Sequence, residues 1–135
     1  MRNELINFLE KKNIEEKGEL LSVNISKYVD KIQKFATIIS IFKNGEIIAF
    51  IAFYENDENS EVAYLTMIAV CKKFGHLGYG KSLMEISINE IKKKGFKRYR
   101  LEVKENNLKA IKFYKKYGFI STGVKNEIVD MEKYL

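Results

Sequence analysis

The chain's tightest constraint is a nine-residue apolar run, VAYLTMIAV at 62 to 70, which leads within five residues into a glycine loop, GHLGYGKS at 75 to 82. Apolar side chains fall on both alternating faces of the run, so it has no face to give to water and belongs in the middle of a sheet covered on both sides. After the loop, residues 79 to 94 place Tyr79, Leu83, Met84, Ile86, Ile88 and Ile91 on one broad arc, with Lys81, Ser82, Glu85, Asn89, Lys92 and Lys93 on the other. That is the pattern of a helix packed on a core. A strand ending at Val70, a glycine turn and a helix starting near Tyr79 bring unpaired amide N–H groups and the positive helix end to one point. Such a point is an anion site made of backbone, suited to a diphosphate.

The other elements fall into place around this unit. Leu5, Ile6, Phe8 and Leu9, and then Ile25, Tyr28, Val29, Ile32 and Phe35, have helical spacing. TIISIF (37 to 42) and IIAFIAFY (47 to 54) are β-branched and aromatic runs joined through Asn44-Gly45, a strong hairpin signal. Gly95 ends the helix that follows the loop. KRYRLEVK (97 to 104) alternates as a strand with Tyr99, Leu101 and Val103 on one side. A helix from about Asn107 to Lys116 sets Ala110, Ile111, Phe113 and Tyr114 against Lys109, Lys112, Lys115 and Lys116, and Gly118 stops it before two final strands near 119 to 124 and 127 to 134. The expected order is two helices, a three-strand meander, helix, strand, helix and two strands: an α/β (α+β) sandwich around one sheet.

With 135 residues, 46% of them apolar, the chain reads as one domain, 1–135. No apolar run approaches the roughly 20 residues of a membrane span, and charges interrupt MRNELINFLEKKN where a signal peptide needs its apolar stretch, so a cytoplasmic protein without membrane partners is expected. One cysteine, Cys71, and one histidine, His76, are too few for a structural zinc site, and no metal is expected. The net charge of +6 comes from lysines spread along the chain, without the aromatic interleaving of an RNA-binding strand, so nucleic acid is disfavoured as a partner. The pattern leaves the oligomeric state open, a homodimer included.

The glycine loop satisfies two phosphate-binding patterns. As Gly75-x-x-x-x-Gly80-Lys81-Ser82 it fits a nucleotide P-loop, which would make the protein a phosphotransferase. That reading needs an aspartate at the end of an apolar strand to hold magnesium, and none of Asp30, Asp57 and Asp130 ends a run of four apolar residues. The chain after the loop is also too short for the crossovers of a parallel NTPase sheet. As Gly78-Tyr79-Gly80 the loop needs no metal, because a Cβ at either glycine would block close approach of a ligand or an unusual φ.

The stretch IAVCKKFGHLGYGKSLM resembles the acetyl-CoA loop of the GNAT superfamily of N-acetyltransferases, and LEVKENNLKAIKFYKKYGF resembles that superfamily's second signature. With the preceding hairpin the resemblance spans roughly residues 37 to 135 in order. It implies a central mixed, mostly antiparallel sheet flanked by helices on both faces, with acetyl-CoA as cosubstrate and a primary amine of a small molecule or peptide as acceptor. The superfamily carries Arg or Gln where Gly75 stands and usually glycine where His76 stands; Lys72, Lys73 or Lys81 could supply the missing charge, and the backbone cradle does not depend on it.

The resemblance further implies a central strand splayed near its end, with backbone around Ile68, Ala69 and Val70 holding the acetyl carbonyl and pantetheine arm. The cofactor loop would run through Gly75, His76, Leu77, Gly78, Tyr79, Gly80 and Lys81. Asn107 and Tyr114, seven apart, share a helix face about 10 Å from each other. The resemblance gives Asn107 a bond to pantetheine and Tyr114 the role of general acid toward the departing thiolate; otherwise Asn107 is a helix N-cap and Tyr114 a core aromatic. Where some members place a basic glutamate the chain has Tyr64; Glu61, just before that strand, is a general-base candidate, and a water chain or an amine that arrives already neutral fits equally well. A non-catalytic module that binds CoA, RNA or protein on the same fold is the competing reading.

Overall fold

The computed structural model describes residues 1–18, 20, 21 and 24–135. Helices α1 (Arg2–Glu15) and α2 (Ile25–Phe35) precede strands β1 (Thr37–Lys43), β2 (Glu46–Tyr54) and β3 (Val62–Val70). Helix α3 (Tyr79–Lys93), strand β4 (Arg98–Lys104), helix α4 (Leu108–Lys116) and strands β5 (Ile120–Lys125) and β6 (Ile128–Tyr134) complete the order. The elements match the expected sequence of helices and strands, and the apolar run 62 to 70 is β3 from end to end.

The six strands form one sheet in the order β1-β2-β3-β4-β6-β5. Only β3 and β4 pair in parallel; the other neighbours are antiparallel. Helices α3 and α4 cover one face, where Leu83, Met84, Ile88 and Ile91 meet Leu65, Tyr99, Leu101 and Met131. Helices α1 and α2 cover β1 to β3 on the other face through Leu5, Leu9, Val29 and Ile32 against Phe50 and Ala52. β3 lies between both layers, which is why neither of its faces could be polar.

The buried arc of α3 differs from the apolar arc of its sequence. Ile86 is 46% exposed, whereas Ser87 is fully buried. The Tyr99 hydroxyl donates to Ser87 Oγ at 3.0 Å, and Ser87 in turn donates to the Met84 carbonyl at 2.9 Å. Burying the large Tyr99 ring places a phenol inside the core, and a serine opposite satisfies it better than isoleucine could. Phe35 is likewise 52% exposed, because α2 ends there and β1 turns away.

Two irregularities in the sheet shape its centre. Opposite Ala52 and Phe53 the register of β3 jumps from Met67 to Leu65, so Thr66 is a bulge residue and its hydroxyl meets that of Tyr28 at 3.0 Å. β3 and β4 pair only through Val62↔Arg98, Ala63↔Tyr99 and Tyr64↔Arg100. β3 nevertheless stays paired with β2 up to Val70, and β4 with β6 up to Lys104. The two central strands therefore part like a fork beyond Tyr64 and Arg100.

Candidate active site

The fork exposes backbone groups in a residue-by-residue alternation. The Cys71 N–H donates to the Ile48 carbonyl on β2 at 2.8 Å, so two residues earlier the groups of Ala69 also face β2, opposite Phe50. Those of Ile68 and Val70 face the side that β4 has left. Two of the three backbone positions expected at the site thus open into the fork, and Ala69 spends its groups on the sheet. The Val70 carbonyl is engaged by Lys12 Nζ at 2.8 Å, which leaves the Ile68 and Val70 N–H groups as donors with no β4 partner among the described residues.

A cleft of about 910 Å³ opens from this fork, bounded by the end of β3, the glycine loop, one side of α4 and the last turn of α1. Gly78 stands at the N-cap of α3 with φ 80°, a conformation that costs L-residues other than Gly energy, and no side chain caps the helix. The amides of Tyr79, Gly80 and Lys81 therefore have no partner within the helix. A Cβ on Gly80 would stand 3.8 Å from both Val70 Cγ2 and the Phe113 ring, filling the cleft floor between them. Gly75 lies at φ −66° in ordinary helical space, so its φ does not require glycine; a Cβ there would stand 3.3 Å from the Lys72 carbonyl oxygen, a tight contact. His76 is exposed on the cleft rim, whereas the side chains of Leu77 and Tyr79 do not line the cleft: Leu77 is 62% exposed and the Tyr79 ring packs into the core under α3.

The cleft is cationic. Lys72, Lys81, Lys109 and Lys116 line it with no carboxylate partner among the described residues. Its carboxylates, Glu15 and Glu16, both pair with Lys12, at 3.1 and 3.5 Å. Of the lysines expected near the loop, Lys72 and Lys81 reach the cleft. Lys73 lies instead in a separate hollow of about 420 Å³, over the Phe74 ring. Lys109 and Lys116 looked like the solvated side of α4; the helix is docked at an angle that turns two of its four basic residues to the cleft.

Asn107 caps α4 by accepting the Ala110 amide on Oδ1 at 3.1 Å, and it also lines the cleft, with no partner for its side-chain N–H₂ among the described residues. Tyr114 lies farther along the same wall. Its ring is fixed between Phe113 and Phe119, with centroids 5.7 and 5.9 Å away, and Phe119 in turn meets Tyr99 at 5.6 Å. The hydroxyl of Tyr114 has no hydrogen-bond partner among the described residues, and burial pushes its pKa up to about 12. The group is a protonated, orientated and unspent donor at neutral pH.

Glu61 is not brought to this site. It is exposed just before β3, where its carbonyl accepts from the Lys97 and Arg98 amides at 3.1 and 3.0 Å. Ile68 lies seven residues on, about 23 Å along the strand. A carboxylate that sequence reasoning passed over, Glu102, stands instead on the diverging part of β4, where the Tyr64 hydroxyl donates to its Oε1 at 3.3 Å. The alternation of β4 already placed Glu102 on the face opposite Tyr99 and Leu101, but only the fork gives that face an opening.

Comparison with known proteins agrees with this geometry. The model of the acetyltransferase (GNAT) family matches residues 3–119. The chain belongs to that family. Among curated relatives, the probable N-acetyltransferase san of Drosophila melanogaster is 30% identical over 115 residues, 84% of this chain; the chain spans 59% of that relative's length. The GNAT fold recurs in a protein of Pyrococcus horikoshii OT3, 25% identical with TM-score 0.82 over 99% of this chain and 90% of that one. It recurs again in the PaiA N-acetyltransferase of Thermoplasma acidophilum, solved in complex with coenzyme A, at 21% identity and TM-score 0.78 over 99% and 92% of the two chains. The residues of this GNAT chain fit such a ligand: unpaired amides, a floor that Gly80 keeps open and four unpaired lysines suit phosphates. The sheet, with its single parallel pair, is not that of a P-loop NTPase, and Lys81 and Ser82 are exposed. Among the described residues no group of three or more His, Cys, Asp or Glu could hold a metal ion, and no helix is long and apolar enough to cross a membrane.

Proposed function

We propose that the chain transfers the acetyl group of acetyl-CoA to a primary amine of a small molecule or peptide by direct attack in a ternary complex. The observation that carries this reading is the fork: free backbone donors of Ile68 and Val70 open into the same cleft as the α3 amides and the unspent Tyr114 hydroxyl. In this reading the amides of Tyr79, Gly80 and Lys81 and the surrounding lysines hold the diphosphate. The Asn107 side chain donates to the pantetheine arm, and an N–H of the fork stabilises the oxyanion as the amine nitrogen bonds to the carbonyl carbon. A donor of that kind contributes about 3 kcal/mol to the transition state.

Collapse of the oxyanion breaks the C–S bond, Tyr114 gives its proton to the leaving thiolate, and the second proton of the attacking nitrogen returns through solvent to the Tyr114 oxygen, leaving the neutral amide and the free thiol. Burial keeps the phenol protonated at neutral pH, so its proton is in place when the thiolate departs. The acceptor enters the fork from the face of β4 opposite α3 and α4, which carries the exposed Glu102. Glu102 is the carboxylate held at the fork on that face, and it takes the ammonium proton of the incoming amine.

The test is a thermal-shift panel of acetyl-CoA, CoA, Mg-ATP and a short RNA, followed by thiol-release assays with primary amines and short peptides bearing free N-termini. The expected result is stabilisation by acetyl-CoA and CoA, and thiol release with at least one acceptor. Stabilisation by Mg-ATP alone would restore the P-loop reading. Salt-sensitive RNA binding without thiol release would favour a non-catalytic module.

A further inference from the structure

We propose that Lys12 and Glu15, on the last turn of α1, are positioning residues that latch the chain where it leaves β3 for the phosphate loop. This rests on the reading of that loop as the acetyl-CoA site. Lys12 Nζ donates to the Val70 carbonyl at 2.8 Å, Cys71 Sγ donates to Glu15 Oε2 at 3.6 Å, and the Lys72 amide donates to Glu15 Oε1 at 3.1 Å. Three consecutive residues are thus held by one pair of side chains from a helix 57 positions or so earlier in the chain. The pair is closed on itself by the 3.1 Å contact of Lys12 Nζ with Glu15 Oε1. Lys12 keeps 14% of its side chain exposed and Glu15 25%, so both are set into the structure. Burial opposes the charge on Glu15, but the Lys12 ammonium, the Lys72 amide and the Cys71 thiol outweigh it and hold the carboxyl below its usual range.

The latch stands where the sheet gives the least support. Beyond Tyr64 the strand has no β4 partner, so at Val70 and Cys71 only β2 constrains the backbone. One neighbour leaves the departure direction of residues 71 to 75 undetermined, and the loop amides bind an anion well only if they already converge. Helix α1 supplies the missing second neighbour. It also changes the local electrostatics: the Val70 carbonyl faces the fork, where its negative end would oppose a phosphorylated ligand, and the Lys12 ammonium covers it. Neither residue need touch the reacting atoms, so the latch affects capture of acetyl-CoA rather than turnover.

Steady-state kinetics and calorimetric binding of acetyl-CoA to wild type, Glu15→Ala, Glu15→Gln and Lys12→Met test the proposal. Glu15→Ala removes the acceptor from the Lys72 amide and is expected to raise both KM and Kd for acetyl-CoA about tenfold, with kcat within about threefold. Glu15→Gln keeps an oxygen for that amide and is expected to stay within about threefold of wild-type Kd. Lys12→Met should weaken binding about fivefold, and it decides the matter if Glu15→Ala does not fold. Wild-type Kd in folded Glu15→Ala or Lys12→Met, whatever their melting temperatures, would overturn the latch and leave a plain structural brace. Wild type that fails to bind acetyl-CoA would instead sink the reading of the loop, which separates the two failures.

Discussion

The Tyr64 hydroxyl, on the last residue of β3 paired with β4 (Tyr64↔Arg100), donates at 3.3 Å to Oε1 of Glu102, two residues beyond that pair on β4. The contact orientates the one carboxylate that the proposed mechanism uses as a base. Burial, with the Glu102 charge adding to it, pushes the Tyr64 pKa up to about 12, so Tyr64 remains a donor throughout the working range. Glu102→Gln keeps the contact in shape but removes the base. Turnover is expected to fall about a hundredfold or more, with KM for acetyl-CoA little changed. Unchanged turnover would mean that the acceptor's proton leaves by water.

Gly80 offers a cleaner separation of folding from binding. An added Cβ meets Phe113 and Val70 at 3.8 Å, an ordinary contact, so Gly80→Ala should fold with undiminished stability. The same methyl would occupy the floor where the ligand passes. KM for acetyl-CoA is expected to rise at least about tenfold while the melting temperature holds, as read by kinetics and calorimetry on one preparation.

For Tyr114 the expectation concerns both rate and pH. Tyr114→Phe keeps the ring contacts with Phe113 and Phe119 but removes the proton donor, and kcat should fall about a hundredfold with unchanged acetyl-CoA affinity. Because the phenol's pKa is raised to about 12, its protonated form persists well into the alkaline range. The wild-type rate should therefore show no alkaline loss assignable to Tyr114 below about pH 11. A thiol-release pH profile that falls near pH 9 and flattens in the Phe variant would refute this.

How much of this was legible in the sequence depends on the range of the physical cause. β3 and the glycine loop could be read because hydrophobic alternation and glycine act locally. The fork was present only as a resemblance, because where β3 and β4 stop pairing depends on two strands that lie far apart in the sequence and cannot be read from the hydropathy of residues 62 to 70 alone. The same limit hid Lys12 and Glu15, whose partners lie more than 50 positions away, and made Glu61 look closer to the site than the sheet allows. Ile86 and Ser87 illustrate a different failure. A hydropathy arc assigns the serine outward, yet a buried tyrosine hydroxyl on β4 reverses that preference.

That reversal has a measurable cost. Ser87→Ala removes the acceptor of the Tyr99 hydroxyl in a site where both residues are fully buried. An orphaned buried donor costs about 1–3 kcal/mol, so denaturant unfolding should show a loss of that size. Adding Tyr99→Phe removes the stranded hydroxyl, and the double variant should recover part of the loss. Strict additivity of the two single variants would show that the bond contributes nothing.

The buried tyrosines also set an alkaline limit to stability. Tyr28, Tyr64, Tyr99 and Tyr114 all have pKa values raised by burial, those of Tyr64 and Tyr114 to about 12. In the unfolded chain each titrates near pH 10. A raised folded value means that the folded state holds its proton longer, so the contribution is complete below about pH 10 and is lost as pH rises toward the folded value. Between about pH 10 and 12 each such group lowers stability by up to about 1.4 kcal/mol per pH unit. Thermal unfolding followed across that interval should show a steep fall, shallower in Tyr99→Phe, which has one fewer phenol to expose. Equal slopes in the two proteins would mean that Tyr99 is already ionised while folded.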